Sequence, residues 1–395
     1  MTRSSSSTSS SEPAAGEELP PDVGIPEPGA ATWSGIARVV GWMLAWLVVF
    51  DVTAGYAFRP PVDPRVEPSR MQSYFEYGRS IEGKLRAMVT AEDETSAPIA
   101  NAGWLGEEAK LGALTEATAP DRILVAAYGQ SFTQKMLAQA QELDRRIEIR
   151  FMGGPSAPLS HSFKMQDLDR HAHTGRVVLV GILASSLPFL VTLTPMIWGF
   201  EAPTPFTYPR YRLENDELHE TEPPITDLAG LRGALGDLQA FRVFRATLKA
   251  NDPGFSAFLF DEDVLDASVL GRLVRRSLGH KHQTEFIDRY HSSAGFVNRD
   301  GLLDVARALL IEFARGVRAD GRVPFVVLFE NRGYAGHLVD ALGTTLEAND
   351  IPYVSSGNTA PATNRGNFVA DGHFTAEANR RIAEAFVKEL RVAVP

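Results

Sequence analysis

Four short apolar runs separated by amphipathic stretches constrain this chain most: ILVAAY at 123–128, IEIRF at 147–151, VVLVGI at 177–182 and VPFVVLF at 323–329. Strands that are apolar without alternation are buried on both faces, which requires a parallel sheet covered by helices on each side. Helices are expected from Phe132 to Leu143, along the stripe Leu302, Val305, Ala306, Leu309, Leu310 and Phe313, at about 335–348 and at about 375–391. A short strand is expected at Tyr353-Val354. The pattern is that of one α/β domain over 70–395, with no internal repeat. Ligands in such folds meet the carboxyl ends of the strands. Residues at about 199–298 break the alternation and read as an insertion, first the Pro- and aromatic-rich loop FEAPTPFTYPRYRL and then a mainly helical segment.

The N-terminal part is of another kind. Residues 1–31 are Ser, Thr, Pro, Gly, Ala and Glu with almost no large apolar side chain, too little burial to offset the entropy of ordering them, so a disordered tail is expected. The segment 36–58, with VVGWMLAWLVVFDVTAGYAF from Val39, is long enough to cross a hydrocarbon core of about 30 Å as a helix. Trp33, Trp42 and Tyr56 would serve as interfacial aromatics. Against a span stand Arg38, which must snorkel, and Asp51, which costs about 2.5–3.5 kcal/mol at mid-membrane. A buried helix and a cleaved signal peptide are the alternatives, though the leader is acidic rather than basic. Arg59, Arg65, Arg70, Arg79 and Lys84 follow the span, which by the positive-inside rule keeps the large domain in the cytoplasm; long domains translocate regardless of that rule, so orientation stays open. The run Val177–Phe200 is also long enough to span, but Pro188, Pro195 and the Ser185-Ser186 pair mark it as a core strand followed by an apolar loop.

A formal net charge of −10 leaves no overall positive field for phosphate backbones, so nucleic acid is not an expected partner. The absence of cysteine excludes disulfides, thiolate metal sites and a cysteine nucleophile. The nine histidines form no HExxH or close cluster with carboxylates, so a metal site could be assembled from distant positions alone and none is expected.

Chemistry concentrates at two places. The first strand ends in Tyr128-Gly129-Gln130-Ser131 and runs straight into a helix, which puts Ser131 at a helix N-terminus on the carboxyl edge of the sheet. Free N–H groups and the positive end of the helix dipole there stabilise an alkoxide or an oxyanion, as a nucleophile needs; a serine that only caps the helix is the plainer alternative. Far along the chain, VADGHFTAEANRRIAEAF places Asp371 and His373 in a loop just before the last helix, which starts at the same edge. An Asp that orients a His, and a His that takes a proton from Ser, is the set acyl transfer requires. No organic cofactor is expected either, since acyl transfer through a serine requires none.

With these blocks the chain resembles the SGNH/GDSL hydrolase superfamily over roughly 120–392: a strand ending in Gly-x-Ser, a Gly-rich turn Met152-Gly153-Gly154-Pro155 after the second strand, and a final Asp/His loop leading into a helix. The resemblance implies a three-layer α/β/α, flavodoxin-like domain with Ser131 as nucleophile, His373 as general base and Asp371 as its partner. It further implies an oxyanion hole from the N–H groups of Ser131 and Gly154. Gln130 stands where the family has Asp, and Asp371 precedes His373 by two positions where three is commoner, a spacing also seen in alginate O-acetyltransferase-like relatives. No Asn follows the VVLVGI strand; Ser185 or Ser186 stands there, Ser185 being the candidate donor, and Asn358 falls after another strand. The function implied is a membrane-anchored serine esterase or O-acyltransferase acting on O-acetyl groups of cell-envelope or exported polysaccharide, with an extracytoplasmic domain and a membrane acyl-donor protein as partner. The alternative is a binding or assembly component that kept the fold and lost the site.

Among the remaining side chains, Phe206, Tyr208 and Tyr211 between prolines could form a platform for sugar rings, with Tyr208 and Tyr211 as the substrate-binding pair, or could pin the loop to the sheet. His161 is expected to be a surface or locally bonded residue rather than part of the site. His280, His282 and His291 beside Arg272, Arg275, Arg276 and Lys281 read as a solvated helix face, with contact to an anionic substrate as the sharper option.

Overall fold

The computed structural model describes residues 32–61, 66–89, 100–108 and 114–394; the expected N-terminal tail lies outside them. The elements in order are α1 (Trp33–Ala57), α2 (Arg70–Glu76), α3 (Ile81–Val89), α4 (Leu105–Glu108), β1 (Ile123–Gly129), α5 (Ser131–Leu143), β2 (Ile147–Gly153), α6 (Leu159–Asp169) and β3 (Val177–Leu183). A hairpin of β4 (Arg210–Glu214) and β5 (Glu217–Thr221) follows, then α7 (Leu228–Gly236), α8 (Leu238–Asn251), α9 (Ala257–Phe260), α10 (Val269–Asp288) and the two-residue strands β6 (His291–Ser292) and β7 (Gly295–Phe296). The chain closes with α11 (Leu302–Ala319), β8 (Val323–Phe329), α12 (His337–Ala348), β9 (Tyr353–Ser355) and α13 (Ala376–Ala393).

Five strands form one parallel sheet in the order β2-β1-β3-β8-β9. Every residue of β1 and β3 is buried, the expected state of strands with no polar alternation. Side chains alternate between two cores. Val125, Ala127, Leu179, Phe325 and Val327 point into one with Met136 and Leu137 of α5 and Ile382, Phe386 and Leu390 of α13. Ala126, Tyr128, Val178, Val180 and Val326 point into the other with Met165 of α6 and the stripe Leu302, Val305, Ala306, Leu309, Leu310 and Phe313 of α11. The result is an α/β fold with helices on both faces of the sheet.

The crossover from β3 to α11 holds the insertion. Its first part is a 3-10 helix, Ala184–Val191, entirely buried, so the run that began at Val177 is core strand and apolar turn as expected. The hairpin β4–β5 is a departure: the segment read as a loop before helices carries two paired strands joined through Asn215 and Asp216, both at positive φ. Helices α7 and α8 build a third core with α3, Trp104, Phe206 and Tyr208.

Helix α1 as far as Thr53 belongs to one unit, while its last turn and the residues from Ala54 onward form the second. Among the described residues it is the one helix long and apolar enough to cross a membrane, and none of its apolar window is buried.

Candidate functional site

Strand β1 delivers Ser131 to the carboxyl edge of the sheet through a single extended residue, Gln130. Gln130 is buried, and its side chain makes no cap; Nε2 donates instead to the Ala157 carbonyl at 2.7 Å. The Ala157 N–H donates to the Gly154 carbonyl at 3.2 Å, so the turn after β2 is tied to the start of α5. A carboxylate, an acceptor only, could not make that bond to a carbonyl. Glycines clear the floor beneath: Gly129 pairs with Gly153 across β1 and β2, and a Cβ on Gly153 would run into the Gly129 carbonyl. A Cβ on Gly129 would come 2.5 Å from the buried Thr133 hydroxyl.

Ser131 Oγ lies 2.7 Å from His373 Nε2, across 242 residues of sequence. The imidazole is stacked on Phe132 with centroids 4.7 Å apart, and Phe374 meets Phe132 edge-on. The His loop is closed by the Val369 N–H donating to the His373 carbonyl at 2.8 Å and turns at Gly372, whose φ of +87° suits glycine. For the Ser131 hydroxyl to donate to Nε2, the ring proton must sit on Nδ1, facing Asp371. Asp371 Oδ2 is 3.1 Å from Nδ1 but off the line of a hydrogen bond, and Nδ1 finds no aligned partner. The reason is local: with one residue between acid and base, Asp371 Oδ1 accepts the His373 backbone N–H at 3.0 Å in an Asx turn that ties the carboxylate to the main chain. That backbone bond, and the imidazole after it, hold the Asp371 carboxyl below its usual range although the side chain is 62% exposed.

Gly154 packs against Gly103, where a Cβ would come 2.8 Å from the Gly103 Cα, and against the Phe206 ring. Beneath it His161 is fully buried, donating Nε2–H to the Gly103 carbonyl at 2.8 Å. Desolvation lowers its pKa to about 4, so it is a neutral, locally bonded residue of the core. Ser185 makes a reciprocal pair with one amide: its N–H donates to Asn331 Oδ1 at 3.1 Å and its Oγ accepts from Asn331 Nδ2 at 2.8 Å. The pair engages the Ser185 N–H as a donor and leaves the hydroxyl proton free to donate elsewhere.

The aromatic platform does not form. Tyr208 is fully buried, its hydroxyl 2.6 Å from that of Thr192, and Tyr211 is 6% exposed with its hydroxyl donating to Glu220 at 3.0 Å. Both pin the loop, and the cleft of about 600 Å³ beside Tyr211 is lined by neither Ser131 nor His373. His280 pairs with Glu201 at 2.7 Å, His282 bonds the Gly254 carbonyl at 2.9 Å and His291 bonds His337 at 2.9 Å, so the three do not share a site. Among the described residues no three His, Asp or Glu side chains are grouped to hold a metal.

Two residues at the same edge escaped the sequence reading. Glu330 and Asn331 follow β8 directly, the position that singled out Ser131 after β1. Glu330 is fully buried with no ion pair among the described residues; Oε1 accepts the N–H groups of Leu338 and Val339, both at 3.0 Å, at the start of α12. Its own N–H donates to Ser356 Oγ at 2.8 Å, while Oε2 has no partner. Burial pushes this carboxyl up to about 7.

No protein-family model and no curated protein matches the chain. Among solved structures it is similar to a chain from Desulfitobacterium hafniense DCB-2 described as a lipolytic protein of the G-D-S-L family, at 9% identity, covering 68% of this chain and 99% of that one with a TM-score of 0.32.

Proposed function

We propose that the chain is an SGNH-type serine esterase or O-acyltransferase that works through an acyl-serine. The observation that carries the reading is the Ser131 Oγ to His373 Nε2 approach of 2.7 Å at the carboxyl edge of a parallel sheet, with Ser131 on the first turn of a helix. Ser131 Oγ attacks an ester carbonyl as its proton passes to Nε2, and the oxyanion is received by main-chain N–H groups of Ser131 and of Gly154. Collapse expels the alcohol, which takes the proton back from Nε2. Water or a sugar hydroxyl then repeats the sequence, losing its proton to Nε2 and releasing an acid or a new ester. Asp371 steadies the imidazolium. The substrate class is O-acetyl sugar of envelope or exported polysaccharide, met outside the cytoplasm by a domain that α1 anchors; a membrane acyl-donor protein would supply the transferase. Alkaline phosphatase fused after Pro395 is active if the domain is outside and inactive if it is cytoplasmic.

The decisive measurement pairs turnover of an activated acetyl ester with labelling by a fluorophosphonate, in the parent and in Ser131→Ala and His373→Ala. Loss of both signals in both variants is expected. A folded parent that neither labels nor turns over sinks the proposal. It would favour the second reading, a binding or assembly component, for which the unaligned Asp371 is the supporting observation.

A further inference from the structure

Where α1 ends, the folded unit carries a cleft of about 560 Å³ lined by Gly55, Arg59, Glu76, Arg79, Asp266 and Arg272. Its charges do not balance. Glu76 alone serves two guanidinium groups, Arg79 Nε at 2.6 Å from Oε2 and Arg272 on Oε1. Asp266 is taken by the fully buried Arg275 and by the N–H and hydroxyl of Ser80. Arg59 is exposed and has no ionic partner among the described residues. Arg272 is only 7% exposed, so water cannot screen its share. The cleft therefore faces outward with an excess of one positive charge, three arginines against two carboxylates, in a chain that is acidic as a whole.

The location limits what can answer that charge. Helix α1 has 25 residues, about 37 Å of rise, against a hydrocarbon core of about 30 Å. Its last turn, which holds Gly55, then lies at headgroup depth, and Arg59 is two residues beyond its end. The helix that supplies Glu76 also exposes Met71 and Tyr74, an apolar pair of the kind that meets lipid at an interface. We infer that this cleft takes the phosphate of an anionic phospholipid headgroup. The inference rests on α1 being retained as an anchor and is independent of the serine chemistry. A zwitterionic headgroup brings its own cation beside the phosphate and would not discharge the excess.

The test uses the full chain in detergent, with short-chain phosphatidylglycerol, short-chain phosphatidylcholine and inorganic phosphate added separately and thermal unfolding as the readout. Phosphatidylglycerol is expected to raise the midpoint, and the other two to leave it in place. Arg59→Gln should bind phosphatidylglycerol about fivefold more weakly, as loss of one basic side chain near a membrane surface predicts. Arg380→Gln, an exposed charge on α13, should bind as the parent does. Equal shifts with phosphatidylcholine, a full shift with phosphate alone, or unchanged binding by Arg59→Gln would each overturn the inference. So would an intact mass showing that cells remove α1. None of these outcomes touches ester turnover, which Arg59→Gln should retain.

Discussion

At the scale of single residues, the site divides its two jobs unequally. Ser131 and His373 are in bonding contact, whereas Asp371 bonds first to the backbone of the residue it should orient. Asp371→Asn is therefore expected to lower kcat/KM for an activated ester by about ten- to a hundredfold. That is well short of the roughly 10⁴-fold loss that follows replacement of a buried, aligned triad acid. A pH profile adds the sign. The folded carboxyl is held below its usual range, so its help is present throughout the neutral range and disappears only as pH falls through that lowered value. Glu330 runs the other way. Its folded pKa of about 7 lies above the ordinary 4.5, so the native state binds the extra proton and stability declines as pH rises between those values. The loss should be on the order of 3 kcal/mol, and Glu330→Gln, which keeps the acceptor for α12, should flatten it in urea titrations at pH 5 and 8. The meeting of Ser131 and His373 at one sheet edge was legible because strand ends and helix starts are local signals, whereas the turn that ties Asp371 to the His373 backbone was not. Asn331 on Ser185 was not: the partners are 146 residues apart, and nothing near either announces the other. Tyr208 and Tyr211 were legible as loop anchors or platform alike, and only burial separates the two.

Elements built from a continuous apolar run, β1, β3 and β8, or from a one-sided stripe, α11 and α13, follow directly from their periodicity, because burial demands the pattern. The β4–β5 hairpin lacks that demand. Along β5 every residue is exposed or half-exposed, so Glu217–Thr221 carries no apolar alternation, and only Asn215-Asp216 marks the turn. Glycine substitutions probe the elements separately. Gly153→Ala drives a Cβ into the β1 backbone and should destabilise by about 1–3 kcal/mol, with loss of turnover because β2 carries the Gly154 turn. Gly233→Ala in α7 meets nothing within 4 Å and should stabilise by about 0.5–1 kcal/mol through helix propensity alone. Thermal melts of the two variants beside the parent check both signs.

At the scale of the whole molecule, the wholly exposed apolar window of α1 and the separate unit from Ala54 onward predict a clean division of solubility. The full chain should need detergent, and a chain starting at Ala54 should elute as a discrete species without it. A truncated chain that aggregates would show that α1 also shields the folded unit. The insertion has a consequence for how the protein is made. Strands β3 and β8 are neighbours in the sheet, yet the whole insertion is translated between them. At about 5–20 residues per second, β3 waits on the order of ten seconds on the ribosome as an apolar edge strand paired on one side alone. During that interval the half-sheet β2-β1-β3 presents VVLVGIL as an open edge, with the pairing hazard that any unpaired apolar edge carries. The Ser131–His373 contact obeys the same calendar, since the serine is in place early and the histidine is made 242 residues later.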